Sequence, residues 1–266
     1  MSESVFDICD ELGPKSILHV HQPRVGLRGI VVVDNVAAGP AIGGVRMAPD
    51  VSMVECFRLA RAMTYKNAAA GLAHGGGKSV IVGDPAMHPE RKEELIRAFA
   101  CAIESIVDYI PGPDMGTNER AMAWVKDEIG RSVGLPREFG GIPLDEIGAT
   151  GFGLMVAAEV AQKDADIDLN GARVAVQGFG SVGAHAASFL ASKGALLVAA
   201  ADSRGTIANA DGLDIGALVA LKQAGRHVTD LDDGEKMNAD DIVGIECDIW
   251  IPAARPDVIH SGNVDS

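Results

Sequence analysis

The stretch "VAVQGFGSVGAHAASFLASKGALLVAAAD", residues 174–202, constrains the fold more than any other part of this chain. A mainly apolar strand, "ARVAVQ", leads into Gly178, Gly180 and Gly183; the run "VGAHAASFLASKG" follows, and then "ALLVAAAD", which ends on Asp202. Strand, glycine turn, helix and strand in that order predict parallel strands joined by a right-handed crossover. Each glycine has a mechanical reason. Gly178 permits a tight turn, Gly180 lets a pyrophosphate approach the backbone, and Gly183 lets the helix pack close to the strand. The helix start offers free N–H groups and a positive dipole end, so Phe179, Ser181 and Val182 join the candidate dinucleotide contacts. Asp202 is expected to accept hydrogen bonds from the adenosine ribose, which favours NAD. Arg204 stands where it can meet a 2′-phosphate instead, so NADP stays open. A ligand-free glycine turn is the plainer alternative; five features in the right order favour the nucleotide.

Before and after this unit the rhythm is similar. "GLMVAAEVAQK" reads as a helix and "ECDIWIPAA" as a later strand of the same sheet, while the acidic "DLDDGEKMNADD" reads as a solvated loop. Toward the N-terminus, "SILHVHQ" and "GLRGIVVVD" read as strands, followed by a glycine-marked turn, "GPAIGGVR". A helix starts at Ser52, with Glu55 in capping-box spacing; Val54, Phe57, Leu59, Ala62 and Met63 form its apolar set and Gly71 its stop. Strand "SVIVGDP", helix "ERKEELIRAFACAIESIV", loop "IPGPDMGTNE" and helix "RAMAWVKDEIG" come next. "GLPREFGGIPLDEIGATG" has little periodicity and is the expected hinge, dividing the chain into 1–146 and 147–266.

Composition narrows the classes. A net charge of -14 argues against nucleic-acid binding. No apolar run reaches the roughly 20 residues of a membrane span. The N-terminus lacks the basic start of a secretory leader. Cys9, Cys56, Cys101 and Cys247 show no metal-type spacing and suggest a reducing, cytoplasmic setting.

"GLAHGGGKSV" nearly fits a phosphate loop, but Leu72 stands where its first glycine should be, and the helix comes before rather than after. Lys78 therefore needs another role. A lysine among Ala, Gly and Met loses solvation, which lowers its pKa and fits it to act as a base. Lys66, twelve residues earlier, would stay charged and hold a carboxylate. The three glycines would then clear room for a small substrate. Two surface lysines at element ends is the plainer reading, and composition alone favours it.

"GPAIGGVR", "RLARAMTYKNAAAGLAHGGGKSVIVGDP", "GPDMGTNE", "ATGFG" and "VAVQGFGSVG" together resemble the glutamate/leucine/phenylalanine/valine dehydrogenases, from about residue 16 to residue 260. The resemblance implies an N-terminal α/β substrate and oligomerisation domain followed by a Rossmann-type, doubly wound dinucleotide-binding domain. It also implies oxidative deamination of an L-amino acid to a 2-oxo acid and ammonia, and a homo-oligomer. Carried over by motif, Lys66 binds the α-carboxylate, Lys78 activates water, and Asp114 shuttles protons to and from the amino nitrogen. Gly43 and Gly44 line the substrate pocket and Thr150 lies near the nicotinamide. Without the resemblance, Asp114 reads as a turn residue, His74 as a loop histidine, Arg46 as a structural ion-pair partner and Trp124 as core.

The pattern also departs from the family. Glutamate-specific members carry a lysine in the "GPYKGGLR"-like turn, and Ile42 stands here instead. A buried carboxylate would find no partner there, whereas an aliphatic side chain would pack on Ile42 and Met63. A leucine- or valine-type substrate is therefore expected, with glutamate as the alternative. Asp257 stands where members often carry asparagine, and Glu146 and Ile147 stand near an expected Arg-Asn pair. The chain stops at "HSGNVDS", short of the family's usual length, so a non-catalytic nucleotide-binding remnant is the second expectation.

Overall fold

The computed structural model describes residues 5–255 and 257–264. It divides by contact into two compact units, Met1–Pro143 and Leu144–Ser266. Each unit is built on one sheet of five strands.

The first unit contains β1 (Ser16–Gln22), β2 (Leu27–Asn35), β3 (Ala41–Ala48), α1 (Met53–Ala69), β4 (Gly75–Val82), α2 (Pro89–Ala102), β5 (Tyr109–Pro113) and α3 (Glu119–Ile129). Its strand order is β1-β2-β4-β3-β5. β1 and β2 are antiparallel, as are β2 and β4, while β3 runs parallel to both β4 and β5. Alternation along β2 assigns the two faces. Val31 and Val33 join Val45, Met47 and Ile81 under α2 and α3, where Ile96, Phe99, Met122 and Val125 complete the core. Val32 and Val80 face α1 and pack on Cys56 and Ala60.

Five expectations change here. "GPAIGGVR" is not a turn: most of it lies in β3, hydrogen-bonded to neighbours on both edges. Its glycines admit close packing, since a Cβ on Gly43 would lie 1.6 Å from the carbonyl oxygen of Gly77. β4 likewise begins at Gly75, so the three glycines and Lys78 are strand, not a loop ahead of it. "IPGPDMGTNE" starts with β5 rather than being loop throughout. On α1 the buried stripe is Cys56, Ala60 and Asn67 at helical spacing, with Val54 and Ala62 exposed. Ser52 does accept from the Glu55 amide, but the Glu55 carboxylate turns to Arg46 rather than completing a capping box.

The second unit contains α4 (Ala149–Ala165), β6 (Arg173–Gln177), α5 (Ser181–Ala191), β7 (Leu196–Asp202), β8 (Gly205–Ala208), α6 (Ile215–Gln223), β9 (Glu235–Met237) and β10 (Ile249–Pro252). The order is β10-β6-β7-β8-β9. β10, β6 and β7 are parallel, joined by the expected crossover through α5. β8 and β9 run antiparallel and depart from an all-parallel sheet. β9 also lies inside the acidic stretch expected to be loop. Val174, Val176 and Leu197 bury against Ala186 and Leu190 of α5 and Leu218 of α6; Ala175, Ala199 and Ala201 pack on Ile242. Among the described residues no helix is long and apolar enough to cross a membrane.

Candidate active site

In the first unit the register Ile42↔Gly76 and Arg46↔Val80 sets β3 beside β4, and Gly44↔Gly112 sets β3 beside β5. Lys78 shares the α1 face with Val80, two residues on. It is only 4% exposed. Its Nζ donates to Oδ1 of Asp114 at 2.7 Å. Oδ2 of Asp114 accepts from Nε of Arg46 at 2.7 Å, and the same guanidinium donates to Glu55 at 2.6 Å. The result is a line of alternating charge across four elements: Lys78, Asp114, Arg46 and Glu55.

The loop after β5 is pinned so that Asp114 cannot drift. The Asp114 amide donates to Thr117 Oγ1 at 3.0 Å, and that hydroxyl donates to the Val45 carbonyl at 2.8 Å. Gly116 has a φ of +80°, and a Cβ there would lie 2.1 Å from the Met47 carbonyl oxygen, so glycine is required. Gly44 leaves the space in which Asp114 sits, because its missing Cβ would come within 2.6 Å of Asp114 Cβ.

Burial pulls the Lys78 amine below the ordinary lysine value; the Asp114 carboxylate opposes this and the Arg46 charge adds to it. Burial acts on Asp114 in the upward direction, but Lys78 and Arg46 outweigh it and hold the carboxyl below its ordinary value. Cys56, beneath Lys78, is pushed up to about 12 by burial and is an inert thiol. A group whose folded pKa is depressed stabilises the fold above its unfolded pKa, and this is lost as pH falls through the folded value. Asp114→Asn is therefore expected to destabilise the fold at pH 7 and to lose that effect below the ordinary aspartate value of 3.8. Urea unfolding of both proteins across this range measures it; a difference that does not shrink in acid contradicts the assignment.

The other candidates of this unit are placed as follows. Lys66 is exposed in the last turn of α1 and has no ion pair among the described residues. Met63 is half-buried on α1, three residues beyond Ala60, and Ile42 is half-buried on β3. Gly43 and Gly44 are buried and bounded by protein atoms on their Cβ sides. The expected reason for the three glycines also fails. A Cβ on Gly75 would lie 1.8 Å from the Asn35 carbonyl oxygen, and one on Gly76 would lie 2.1 Å from the Thr64 amide nitrogen. Gly75 and Gly76 let β2 and α1 close on β4, and a Cβ on Gly77 would lie 2.8 Å from the Tyr109 ring, so none of the three leaves a space for substrate on its Cβ side. Arg46 forms ion pairs, as expected, with Glu55 and Asp114, and the bond to Asp114 makes it part of the site. The signal is its position two residues after Gly44, on the same face once "GPAIGGVR" is a strand.

In the second unit Gly178 has a φ of +97° at the turn. A Cβ on Gly183 would lie 2.1 Å from the Gly178 carbonyl oxygen, whereas one on Gly180 would meet nothing within 4 Å. Space is open at the one glycine where a pyrophosphate must come close. α5 starts at Ser181, so the amides of Ser181, Val182 and Gly183 have no carbonyl a turn earlier. The Phe179 side chain is buried in the core and its amide donates to the Ala201 carbonyl at 2.7 Å, and the residue also lines the cleft at this turn. A cleft of about 600 Å³ runs past Gly178, Gly180, Asp202, Ser203, Ala254 and Arg255. These features fit a dinucleotide. The carboxylate of Asp202 is less available than expected: Oδ2 accepts from Lys222 at 2.7 Å and from the Val228 amide at 3.1 Å. Among the described residues, Oδ1 accepts the Arg204 amide alone, at 2.9 Å. Burial tends to raise this carboxyl, and Lys222 with the two amides brings it below its ordinary value. Thr150 is exposed in the first turn of α4.

Residues 14–131 match the Glu/Leu/Phe/Val dehydrogenase dimerisation domain, and residues 140–266 match the Glutamate/Leucine/Phenylalanine/Valine dehydrogenase domain. The chain belongs to the Glu/Leu/Phe/Val dehydrogenase family. It is 39% identical over 244 residues to a glutamate dehydrogenase of Aeropyrum pernix, covering 87% of this chain and 58% of that protein. A glutamate dehydrogenase of Thermotoga maritima is 39% identical over 251 residues, covering 89% and 60%. The chain thus spans about three fifths of the length of these curated relatives. Among solved structures, the hetero-hexameric glutamate dehydrogenase of Thermus thermophilus in its leucine-bound form matches with a TM-score of 0.84 and 31% identity, over 95% of this chain and 64% of that one.

Proposed function

We propose that this family member oxidatively deaminates an L-amino acid to a 2-oxo acid and ammonia. The first unit would hold the substrate and the second the dinucleotide. The observation that carries this reading is the buried Lys78 amine 2.7 Å from the Asp114 carboxylate. An amine kept from full hydration and a carboxylate kept ionised supply the two proton-handling groups this reaction needs. Lys66, exposed and without an ion pair among the described residues, binds the α-carboxylate. Asp114 takes a proton from the substrate amino group, and Lys78 in its neutral form removes a proton from water as it attacks the imine carbon. Gly178, Gly180 and the first turn of α5 would hold a nicotinamide dinucleotide, which would supply the acceptor for the hydride leaving the α-carbon. Thr150 is assigned to the nicotinamide end.

The favoured substrate has an aliphatic side chain. Ile42 gives a distal carboxylate no partner, and the nearby cations Arg46 and Lys78 already bond to Asp114 and Glu55. NAD is the favoured cofactor, because the ionised Asp202 carboxylate opposes a 2′-phosphate while Oδ1 retains room for one ribose hydroxyl. Self-association is assigned to the first unit, in line with the dimerisation domain it matches. Dinucleotide reduction followed with leucine, valine, phenylalanine and glutamate, each with NAD and NADP, tests all of this. Fastest turnover of leucine or valine with NAD is expected. Preference for glutamate removes the Ile42 reading, and dinucleotide binding without turnover of any amino acid removes the enzymatic one.

A further inference from the structure

Arg46 is the cation of this site that the chemistry above leaves without a task. Its side chain is 11% exposed, and its guanidinium spans two acids on different elements, Asp114 after β5 and Glu55 on α1. We infer that Arg46 is the positioning residue of this site: it holds Oδ2 of Asp114 so that only Oδ1 is presented to Lys78, and Glu55 anchors the guanidinium from α1. The catalytic consequence rests on the function proposed above; the effect on Lys78 does not.

The groups facing this pair come from four directions. Lys78 meets Asp114 from the loop after β5, Arg46 from β3 and Cys56 from α1. Asp114 meets Lys78 and Arg46, with the buried Tyr109 hydroxyl of β5 in its surroundings. Glu55 of α1 bonds to Arg46. Lys78 thus has one strong partner, and Arg46 competes for it. With Arg46 in place, Asp114 divides its charge between two cations, and the guanidinium charge itself repels a proton on the amine. Without Arg46, Asp114 turns to Lys78 alone, and the amine keeps its proton to higher pH. The fork matters as well as the charge. Nε and one terminal nitrogen reach two carboxylates at 2.7 and 2.6 Å, and a lysine has no such fork.

The test is the pH midpoint of Lys78 acetylation by acetic anhydride, read by mass spectrometry in the folded protein, for the wild type, Arg46→Gln and Arg46→Lys. Thermal unfolding checks that each variant is folded. Arg46→Gln is expected to raise the Lys78 midpoint and to lower kcat about 100-fold, with a smaller change in KM. Arg46→Lys keeps a charge without the fork and is expected to leave kcat low while restoring part of the midpoint. It also carries the test should Arg46→Gln not fold. An unchanged Lys78 midpoint in a folded variant overturns the inference. A shifted midpoint in a protein that turns over no amino acid upholds it and removes the proposed function instead.

Discussion

Replacing Lys78 with methionine is expected to lower amino-acid turnover by about 1,000-fold and leave dinucleotide affinity unchanged. The rate follows from general base catalysis, which contributes roughly 10²–10⁴-fold where a positioned group takes the proton. Methionine keeps the length of the buried part of the side chain, and Asp114 keeps its Arg46 partner, so no carboxylate is left alone in the interior. Stability should therefore hold or rise, because a poorly solvated amine has been removed. Initial rates, calorimetric titration with the dinucleotide and thermal unfolding read the three quantities separately. Wild-type rates in the folded variant would remove Lys78 from the chemistry.

A large stability effect is expected at Gly76. An alanine there would place Cβ 2.1 Å from the Thr64 amide nitrogen, 2.2 Å from Thr64 Oγ1 and 2.5 Å from the Ala60 carbonyl oxygen. Two of these are backbone atoms of α1, so the helix itself would have to lift off β4. A cost of about 3 kcal/mol is expected for such overpacking. The same change at Gly153 serves as the control. That glycine lies within α4 with nothing within 4 Å of its Cβ position, and alanine there is expected to stabilise by about 0.5–1 kcal/mol. Denaturant unfolding decides both. A small cost at Gly76 would mean that α1 does not depend on a bare strand beneath it.

These two residues also mark where the sequence is legible. The second unit announces itself: β6, α5 and β7 combine apolar periodicity with glycines at a fixed spacing, and their placement follows from the chain alone. β1, β2 and α3 are likewise legible from alternation and helical spacing. β3 and the start of β4 are not. Glycine normally marks a turn, yet in "GPAIGGVR" and "GGGKS" it marks backbone so closely packed that no side chain fits, a property of the neighbours rather than of the segment. That misreading hides Arg46, because only on a strand do Gly44 and Arg46 share a face. Glu55 is hidden differently. Its spacing from Ser52 satisfies a local capping rule, while a guanidinium nine residues earlier takes its carboxylate instead. Asp202 follows the same logic at the other site, where the Lys222 amine from α6 cannot be foreseen from the dinucleotide turn. β8 and β9 are short, and the acidic residues around β9 obscure it.

The direct measurement is the proton affinity of the Lys78 amine in the unmodified protein, followed residue by residue through its pH-dependent acetylation. Half-reaction below pH 10.5, the ordinary lysine value, is what a poorly hydrated amine buried under α1 must give. Half-reaction at or above that value would mean the amine is no readier to give up its proton than one in water, and the base assigned to this fold would be gone.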